Sequence, residues 1–244
     1  IRNVELDDLL GRDPVVLDNA GLGEWLGNRV VMVTGAGGSI GAELARQIAR
    51  FRPAKLVLFD ISEAALYEIV TVLADAFPQL PVASIVGDVK HAARVDSVLE
   101  RERPNAIFHA AAYKHVPLME EANAWAAVRN NAWGTWVLAR AAAAARVEKF
   151  VLVSTDKAVN PTSVMGASKR LAEMVCQTLA NGPTQFVIVR FGNVFGSAGS
   201  VIPRFREQIA RGGPVTVTHP EITRFFMSIS EATQLLLQAG LQGR

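Results

Sequence analysis

The chain has 244 residues, 50% of them hydrophobic and 20% charged, which is typical of one globular domain with a substantial core. Its 25 basic and 23 acidic residues are interspersed and leave a net charge of +2, which argues against a broad nucleic-acid-binding face. The single cysteine, Cys176, excludes an internal disulfide and fits a reducing compartment. No stretch reaches the roughly 18 consecutive apolar residues of a membrane span. Because the chain starts at Ile1 and stops at Arg244 directly after a predicted helix, we expect it to be a piece of a longer protein.

The predicted elements begin with a lead-in over residues 1–28, in which residues 4–10 are predicted to form a short helix. A strand over residues 29–34 then runs into a glycine-rich turn, and a helix is predicted over residues 42–51. This order is typical of a dinucleotide-binding loop, because glycines permit a tight turn and a helix N-terminus attracts phosphate. The turn contributes five predicted cofactor residues: Gly35, Gly38, Ser39, Ile40 and Gly41.

The second predicted strand, residues 55–59, ends in Asp60, about 20 residues after the last glycine of the turn. Dinucleotide-binding folds place at this position a carboxylate that binds the adenosine ribose. Ile61 and Ser62 follow, and neither offers a positive charge to a 2′-phosphate. The sequence therefore predicts a dinucleotide cofactor and favours NAD over NADP.

Helices and strands continue to alternate in the predicted order helix 62–76, strand 82–86, helix 92–100 and strand 105–109. Asp88, next to Val89 in the predicted cofactor site, either accepts a hydrogen bond from adenine or caps the following helix. Ala110, Ala111 and Ala112 are predicted to continue the fourth strand and to contact the cofactor. Their small side chains would either admit the nicotinamide ribose or allow close helix packing.

Two further predicted strands, residues 149–154 and 185–190, complete a doubly wound parallel sheet of the Rossmann type. Ligands bind such a sheet at the carboxyl ends of its strands. The loops at this edge supply Lys114, His115, Thr155, Asp156, Lys157 and Asn193 as candidate site residues. A helix that begins near Val164 carries Met165 and Lys169 on one face, because residues four apart are neighbours on a helix.

Two stretches complete the predicted organisation. Residues 120–146 read as a long helix with Trp133 and Trp136, which either packs on the sheet or forms a face between subunits. Residues 200–244 lose the alternation and are predicted to form a small, truncated substrate-binding cap on the α/β domain of residues 29–199. Within the cap we expect Arg224 to bind a substrate phosphate, because the guanidinium fork matches phosphate oxygens.

Several motifs resemble those of a known family. They are T-G-x-x-G-x-x-G at residues 34–41, H-A-A-A-Y-K-H-V-P-L-M-E-E at 109–121, S-T-D-K-A-V-N-P-T at 154–162, R-F-G-N-V at 190–194 and I-T-R-F-F-M at 222–227. On these motifs the whole chain resembles extended short-chain dehydrogenases/reductases, and more narrowly the membrane-anchored UDP-N-acetylglucosamine 4,6-dehydratases of polysaccharide biosynthesis. The resemblance implies NAD as cofactor, a UDP-sugar substrate, a homo-oligomer, and a cytoplasmic domain attached to the inner membrane in the full-length protein.

One position departs from the wider superfamily, which places a catalytic tyrosine four residues before the helix lysine. Met165 stands there and has no proton to exchange, although the resemblance is to a subgroup in which methionine is usual and dehydration persists. That resemblance makes Asp156 the acid at the C6 hydroxyl, Lys157 the base at C5, Thr155 a hydrogen-bond partner of the C4 oxygen and Lys169 the holder of the nicotinamide ribose. These roles require a raised pKa of Asp156 and a lowered pKa of Lys157.

The sequence does not decide which group accepts the C4 hydroxyl proton. The candidates are a water or relay through Thr155 and Asp156, with Tyr113 and His115 as outside candidates. Three other functions also stay open: a nucleotide-sugar 4-epimerase, a non-catalytic dinucleotide or nucleotide-sugar binding protein, and an alcohol dehydrogenase. The adjacent Asp156 and Lys157 argue against the first two, and the missing tyrosine argues against the third. No metal site and no nucleic-acid partner are predicted.

Overall fold

The computed structural model describes residues 17–196, 201–217, 219–221 and 223–243, so the predicted helix at residues 4–10 lies outside the described residues. The main strands are β1 (Val30–Thr34), β2 (Lys55–Asp60), β3 (Val82–Val86), β4 (Ala106–His109), β5 (Lys149–Thr155) and β6 (Gln185–Phe191). They form a parallel sheet in the order β3-β2-β1-β4-β5-β6. The predicted doubly wound α/β fold is thereby confirmed, and apart from the predicted extension of β4 each strand lies within one residue of its predicted bounds.

Helices cover both faces of this sheet. They are α1 (Asn19–Leu26), α2 (Ser39–Arg50), α3 (Glu63–Ala76), α4 (Ala92–Glu102), α5 (Ala124–Ala127), α6 (Gly134–Ala144), α7 (Val164–Leu179), α8 (Val201–Ala210) and α9 (Ile229–Gln242). On one face α1, α2, α3 and α9 bury Leu22, Leu44 and Leu237 against the strands. On the other face α4, α6 and α7 bury Leu138 and Cys176. Burial on both faces explains why the four central strands are nearly continuous apolar runs.

Two local predictions are wrong. The sheet pairing of β4 ends at His109, so the alanines at residues 110–112 form a loop and not an extension of the strand. The predicted long helix over residues 120–146 is broken into short 3-10 turns, α5, a π-helical turn at Val128–Trp133 and α6. The π-helical turn holds Asn130 and Asn131 with both side chains buried, and hydrogen bonds of the Asn131 amide stabilise this arrangement.

The C-terminal tail is divided between two places. Two short strands, β7 (Asn193–Val194) and β8 (Phe226–Met227), pair in parallel and tie the tail to the carboxyl edge of the sheet. Helix α9 instead packs on the sheet, and the buried Lys149 at the start of β5 donates hydrogen bonds to the carbonyl oxygens of Gly240 and Gly243. The predicted cap included this helix because the strand–helix alternation lapses before it. Its apolar side packs on the same core as α1 and α2.

Candidate active site

Two adjoining cavities lie at the carboxyl edge of the sheet. The glycine-loop cleft, about 310 Å³, is lined by residues of the glycine turn, the end of β2 and the loop after β3, including Gly35, Gly38, Asp60, Asp88 and Val89. The Lys169 cavity, about 410 Å³, is lined by residues that follow β4, β5 and β6 and by the first turns of α7, including Lys114, Thr155, Lys157, Met165, Lys169 and Asn193. Ala110, Ala112 and Tyr113 line both. The two cavities therefore meet at the loop after β4.

The glycine turn has no room for a side chain at Gly35 or at Gly41. Gly35 has φ +67°, and a Cβ on it would lie 2.6 Å from the backbone nitrogen of Ala111. A Cβ on Gly41 would lie 2.0 Å from the carbonyl oxygen of Gly35, so α2 begins in direct contact with the turn. The loop after β4 therefore approaches the turn as closely as backbone atoms allow. Gly41 and Ser39 support the turn from within α2 and line neither cavity, whereas Ile40 lines the Lys169 cavity.

Asp60 is fixed by the backbone around it. Its carboxylate accepts hydrogen bonds from the N–H groups of Gly37 and Ser62, both at 2.9 Å. Gly37 was not among the predicted site residues, although it lies in the same turn and lines the same cleft. The end of β2 and the glycine turn are thus joined through one carboxylate that faces the cleft.

Asp88 is held by its neighbour Lys90. It accepts a hydrogen bond from the Lys90 backbone at 2.8 Å and forms an ion pair with the Lys90 ammonium at 2.8 Å. Burial raises the pKa of Asp88, but the hydrogen bonds and charge of Lys90 outweigh this and hold the pKa below its usual value. The side chain that caps α4 is His91 and not Asp88, so the capping alternative for Asp88 is wrong.

Met165 and Lys169 lie one turn apart on α7 and both line the Lys169 cavity. Lys169 is only 4% exposed, and desolvation lowers its pKa to about 8 against the opposing charge of Glu173. Met165 packs with Met119 and Ala127 in a small apolar cluster. Met165 therefore forms an apolar part of the cavity wall beside the desolvated amine of Lys169.

The turn after β5 holds Thr155, Asp156 and Lys157. The Asp156 carboxylate accepts a hydrogen bond from the Thr155 hydroxyl at 2.9 Å and forms an ion pair with the Lys157 ammonium at 2.9 Å. Lys157 also donates to Asn193 Oδ1 at 3.0 Å. Thr155 and Lys157 line the Lys169 cavity, whereas the partly exposed Asp156 does not and is bonded to both of them. Asp156 is therefore connected to the cavity through Thr155 and Lys157.

Asp156 is ionised in the protein without substrate. Burial raises its pKa, but hydrogen bonds from Lys157 and Thr155 and the charge of Lys157 outweigh this and leave the pKa below its usual value. The raised pKa that the acid role requires is therefore not a property of the protein without substrate. Any proton that Asp156 donates during a reaction must first be delivered to it.

The remaining predicted substrate residues divide into two groups. Lys114, His115 and Asn193 line the Lys169 cavity, and desolvation lowers the pKa of Lys114. Arg224 lines neither cavity, because it is exposed and donates a hydrogen bond to the carbonyl oxygen of Thr223 at 2.7 Å. The signal used for Arg224, a lone arginine next to aromatic residues, did not fix where its side chain would lie.

Asn131, which fixes the loop after β4, was not among the predicted site residues. Its side-chain oxygen accepts the N–H of Tyr113 at 2.8 Å, and its amide donates to the Tyr113 carbonyl at 2.9 Å and to the Ser168 hydroxyl at 2.9 Å. These bonds connect the loop above the cavity to α7. The available signal was a pair of asparagines within an alanine-rich helical stretch.

His109, also missed, sits beneath the cavities and is fully enclosed. Its ring nitrogens lie 2.7 Å from the Thr34 hydroxyl and 3.0 Å from the Thr135 hydroxyl. Burial, with a smaller effect from the charge of Lys169, lowers its pKa to about 3. The imidazole is therefore neutral, bonded on both sides, and joins β1, β4 and α6.

Two searches of the described residues gave no further site. Within residues 17–196, 201–217, 219–221 and 223–243, no three or more His, Cys, Asp and Glu side chains are grouped so that they could hold a metal ion. Over the same part of the chain, no helix is both long enough and apolar enough to span a bilayer.

Comparison with known proteins gives the family. The model of the family described as polysaccharide biosynthesis protein matches residues 31–244. The chain belongs to this family. It is 52% identical over 243 residues to the capsular polysaccharide biosynthesis protein CapD of Staphylococcus aureus, covering 98% of this chain and 40% of CapD. It is 34% identical over 220 residues to a UDP-glucose 4-epimerase of Rickettsia rickettsii, covering 87% of this chain and 62% of that protein. The chain thus spans about 40% of the length of CapD.

Solved structures agree with this assignment. The X-ray structure of Pen from Bacillus thuringiensis matches with a TM-score of 0.82 and 33% identity, over 88% of this chain and 67% of that one. The dTDP-glucose 4,6-dehydratase DesIV from Streptomyces venezuelae, solved with NAD bound, matches with a TM-score of 0.76 and 23% identity, over 88% and 73% of the two chains. The chain therefore shares its fold with DesIV, which was solved with NAD bound, and its resemblance to extended short-chain dehydrogenases/reductases is confirmed.

Proposed function

We propose that the chain catalyses the NAD-dependent 4,6-dehydration of a UDP-N-acetylhexosamine, with UDP-N-acetylglucosamine as the substrate, to a UDP-4-keto-6-deoxy sugar for bacterial surface polysaccharide. The observation that carries the proposal is the grouping of Thr155, Lys157, Met165 and Lys169 around one cavity that adjoins the glycine-loop cleft. Membership of a polysaccharide biosynthesis family supports the pathway. A hydro-lyase of this kind needs both a dinucleotide site and acid–base groups next to it.

The glycine-loop cleft suits the adenosine and pyrophosphate half of NAD. Because Gly35 leaves no space for a Cβ, a pyrophosphate would approach backbone N–H groups at the start of α2. The Asp60 carboxylate would accept hydrogen bonds from the ribose hydroxyls and repel a 2′-phosphate. Ile61 and Ser62 line the same cleft and offer no positive charge. Asp88 and Val89 would contact adenine, and the alanines at residues 110–112 would contact the nicotinamide ribose.

When bound, NAD would supply the hydride chemistry between sugar C4 and C6, and the residues of the chain have to move the protons. Lys169 would hold the nicotinamide ribose, and the Thr155 hydroxyl would bond the C4 oxygen. Lys157 would remove the C5 proton that the C4 ketone acidifies, and Asp156 would protonate the C6 hydroxyl as it leaves. Lys157 would then return its proton to C5 when the hydride reaches C6. Lys114, His115 and Asn193 would contact the nucleotide sugar from the cavity wall.

A proton relay would take the proton of the C4 hydroxyl, because Met165 cannot act as a base. The Thr155 hydroxyl lies 2.9 Å from the Asp156 carboxylate, which is ionised because its pKa is lowered. A C4 hydroxyl bonded to Thr155 would pass its proton through that hydroxyl to Asp156 as the hydride leaves. Asp156 would then carry the proton that the departing C6 hydroxyl needs. The C4 hydroxyl proton therefore ends in the released water.

The same transfer would prepare Lys157. Its ammonium forms an ion pair with the Asp156 carboxylate at 2.9 Å. Once Asp156 is protonated this ion pair is lost, and the Lys157 ammonium would release its own proton to solvent before it takes the C5 proton, and would regain one from solvent after the reaction. The ion pair is therefore the resting form of the acid–base couple, and the first proton transfer activates both of its members.

A second candidate is a nucleotide-sugar 4-epimerase, which the 34% identity to the Rickettsia protein favours. An epimerase shares the first hydride step but needs no groups for C5 and C6. The full-length protein should be incubated with UDP-N-acetylglucosamine and NAD, next to Asp156→Asn and Lys157→Ala. We expect a 4-keto-6-deoxy product that both variants fail to form. A C4 epimer would establish the second candidate, and an unchanged sugar with bound cofactor would establish a binding protein.

We also propose that the chain forms a homo-oligomer through the outer face of α6 and α7. Trp133 and Trp136 stack with ring centres 5.0 Å apart and are 47% and 38% exposed. Leu171 and Met174 are exposed on α7, which packs beside α6. Paired exposed tryptophans are typical of an interface core. Light scattering should give an oligomer that Trp133→Glu dissociates, and an unchanged mass would contradict this interface.

We further propose that the full-length protein works on the cytoplasmic side of the inner membrane, as the resemblance to membrane-anchored dehydratases implies. Fractionation of cells that express the full-length protein tests this. We expect it in the inner-membrane fraction, with the residues described here accessible to protease only in inverted vesicles. Recovery in the soluble fraction would contradict the proposal.

A further inference from the structure

The carboxylate of Glu173 is the most completely enclosed charge beneath the Lys169 cavity. Its side chain is 0% exposed, and it belongs to none of the residues that line the cavity. One oxygen accepts hydrogen bonds from the Ser154 hydroxyl at 2.6 Å and Arg190 Nε at 2.7 Å. The other accepts from Arg190 Nη2 at 2.5 Å and Arg170 Nη1 at 2.9 Å. No step of the proposed chemistry uses this group.

The partners of Glu173 come from the elements that carry the proposed active-site residues. Ser154 precedes Thr155 at the end of β5, and Arg190 lies near the end of β6, three residues before Asn193. Glu173 itself lies one turn after Lys169 on α7, so the two side chains are neighbours on one helical face. A single carboxylate therefore connects both strand ends and the helix that supplies Lys169.

Glu173 also sets the electrostatic surroundings of Lys169. Its hydrogen bonds and ion pairs overcome desolvation and lower its pKa to about 2, so it is ionised at neutral pH. A Cys176 thiolate would raise the pKa of Lys169 more than Glu173 does, but burial raises the pKa of Cys176 to about 12, so that group is neutral where Lys169 titrates. The side chains of Arg170 and Arg190 are each 39% exposed, and water screens their charges more than that of the buried carboxylate.

Other titratable groups surround Lys169. Lys114 and His115 in the loop after β4 and Lys157 after β5 line the same cavity, and His109 on β4 and Cys176 on α7 are near enough for their charges to interact with it. His109 is neutral, and the opposite charges of Asp156 and Lys157 are paired. Among the described residues around Lys169, Glu173 is thus the one buried, ionised acid on its own helix.

We propose that Glu173 is a positioning residue of the active site, which keeps the Lys169 amine protonated and holds the ends of β5 and β6 against α7. The proposal rests on the proposed function for the use of Lys169, which would bind the cofactor ribose as an ammonium. It predicts that the charge of Glu173, and not only its hydrogen bonds, matters.

The test compares Glu173→Gln with Glu173→Asp in the full-length protein. Glutamine keeps the length of the side chain and loses the charge, whereas aspartate keeps the charge and loses the reach. Trace acetylation of the chain's six lysines with acetic anhydride, read by mass spectrometry over pH 6 to 11, reports the titration of Lys169 without any ligand. We expect the midpoint of Lys169 to fall by about one pH unit or more in Glu173→Gln and to be largely kept in Glu173→Asp.

Calorimetry of NAD binding at pH 8 is the second measurement. Glu173→Gln should bind about tenfold more weakly, and Glu173→Asp should keep most of the affinity. An equal loss of NAD affinity in both variants, or an unchanged titration midpoint of Lys169 in Glu173→Gln, would overturn the proposal. Glu173 would then only hold the strand ends and α7 together. If Glu173→Gln does not fold, Arg170→Gln serves instead, and a midpoint of Lys169 that falls in that variant overturns the proposal. Failure of the wild type to bind NAD would refute the proposed function alone, because the titration needs no cofactor.

Discussion

Replacing Lys169 with methionine is expected to make the fold more stable. Lys169 is 4% exposed, and desolvation is the main cause that lowers its pKa from 10.5 to about 8. The folded protein therefore binds this proton more weakly than the unfolded chain. A difference of about 2.5 in pKa, at roughly 1.4 kcal/mol for each unit, corresponds to ~3 kcal/mol of destabilisation at neutral pH. Methionine has a similar length and no charge to desolvate.

The sign of this effect gives it a distinct pH dependence. Below pH 8 the amine is protonated in both states and the penalty is fully present. Between pH 8 and pH 10.5 the folded state releases its proton before the unfolded state does, so the penalty fades. The stability gained by Lys169→Met should therefore be largest at pH 7 and close to zero near pH 10.5.

Urea unfolding followed by tryptophan fluorescence measures the difference. At pH 7 we expect Lys169→Met to gain ~3 kcal/mol, or roughly 6 to 12 °C in Tm for a chain of this size. Lys157→Met is the matched control, because Lys157 is partly exposed in an ion pair and its loss should change stability by about 1 kcal/mol or less. An unchanged or lower stability of Lys169→Met at pH 7, or a gain that does not shrink at high pH, would refute the reasoning.

Three further predictions follow from the site. The pKa of His109 is about 3 in the folded protein, so the free energy of unfolding should fall by ~1.4 kcal/mol for each pH unit below 6.5. His109→Gln should remove that dependence when urea unfolding is compared at pH 7 and pH 5, and a dependence that persists would contradict this. Gly35→Ala should abolish NAD binding by calorimetry, whereas Gly196→Ala, also at positive φ but with open space around its Cβ, should keep it; equal binding would contradict the close approach. Asp60→Ala with Ile61→Arg should shift binding from NAD toward NADP by about tenfold or more, and an unchanged preference would remove Asp60 from the ribose site.

The sheet was predictable because each strand is marked by its own residues. Each strand is a short, mostly apolar run that ends at a turn, and a strand buried on both faces needs no alternation of polar and apolar residues to be recognised. The glycine turn was also predictable, since positive φ at Gly35 and the contact of Gly41 with the turn both exclude side chains. The relation of Met165 to Lys169 followed from helical spacing alone.

What the sequence did not predict depends on contacts between distant segments. The π-helical turn exists because Asn131 bonds the backbone of Tyr113 and the hydroxyl of Ser168, and no local pattern reports such partners. The charge state of Asp156 depends on which way Lys157 points, which adjacency in sequence does not fix. Glu173 read as an ordinary polar helix residue, because its partners Ser154 and Arg190 come from two strands.

The proton relay is the central claim about the chemistry, and one product analysis tests it most directly. Full-length protein with NAD should convert UDP-N-acetylglucosamine deuterated at C4 into a 4-keto-6-deoxy sugar that has lost one water and carries the deuterium in its C6 methyl group, as seen by mass spectrometry and NMR. Thr155→Val, which removes the hydroxyl and keeps the shape, should slow deuterium transfer at least as strongly as water loss. A sugar that carries no deuterium at C6 and has lost no water would contradict the dehydratase. Deuterium transfer at the wild-type rate in Thr155→Val would contradict the relay.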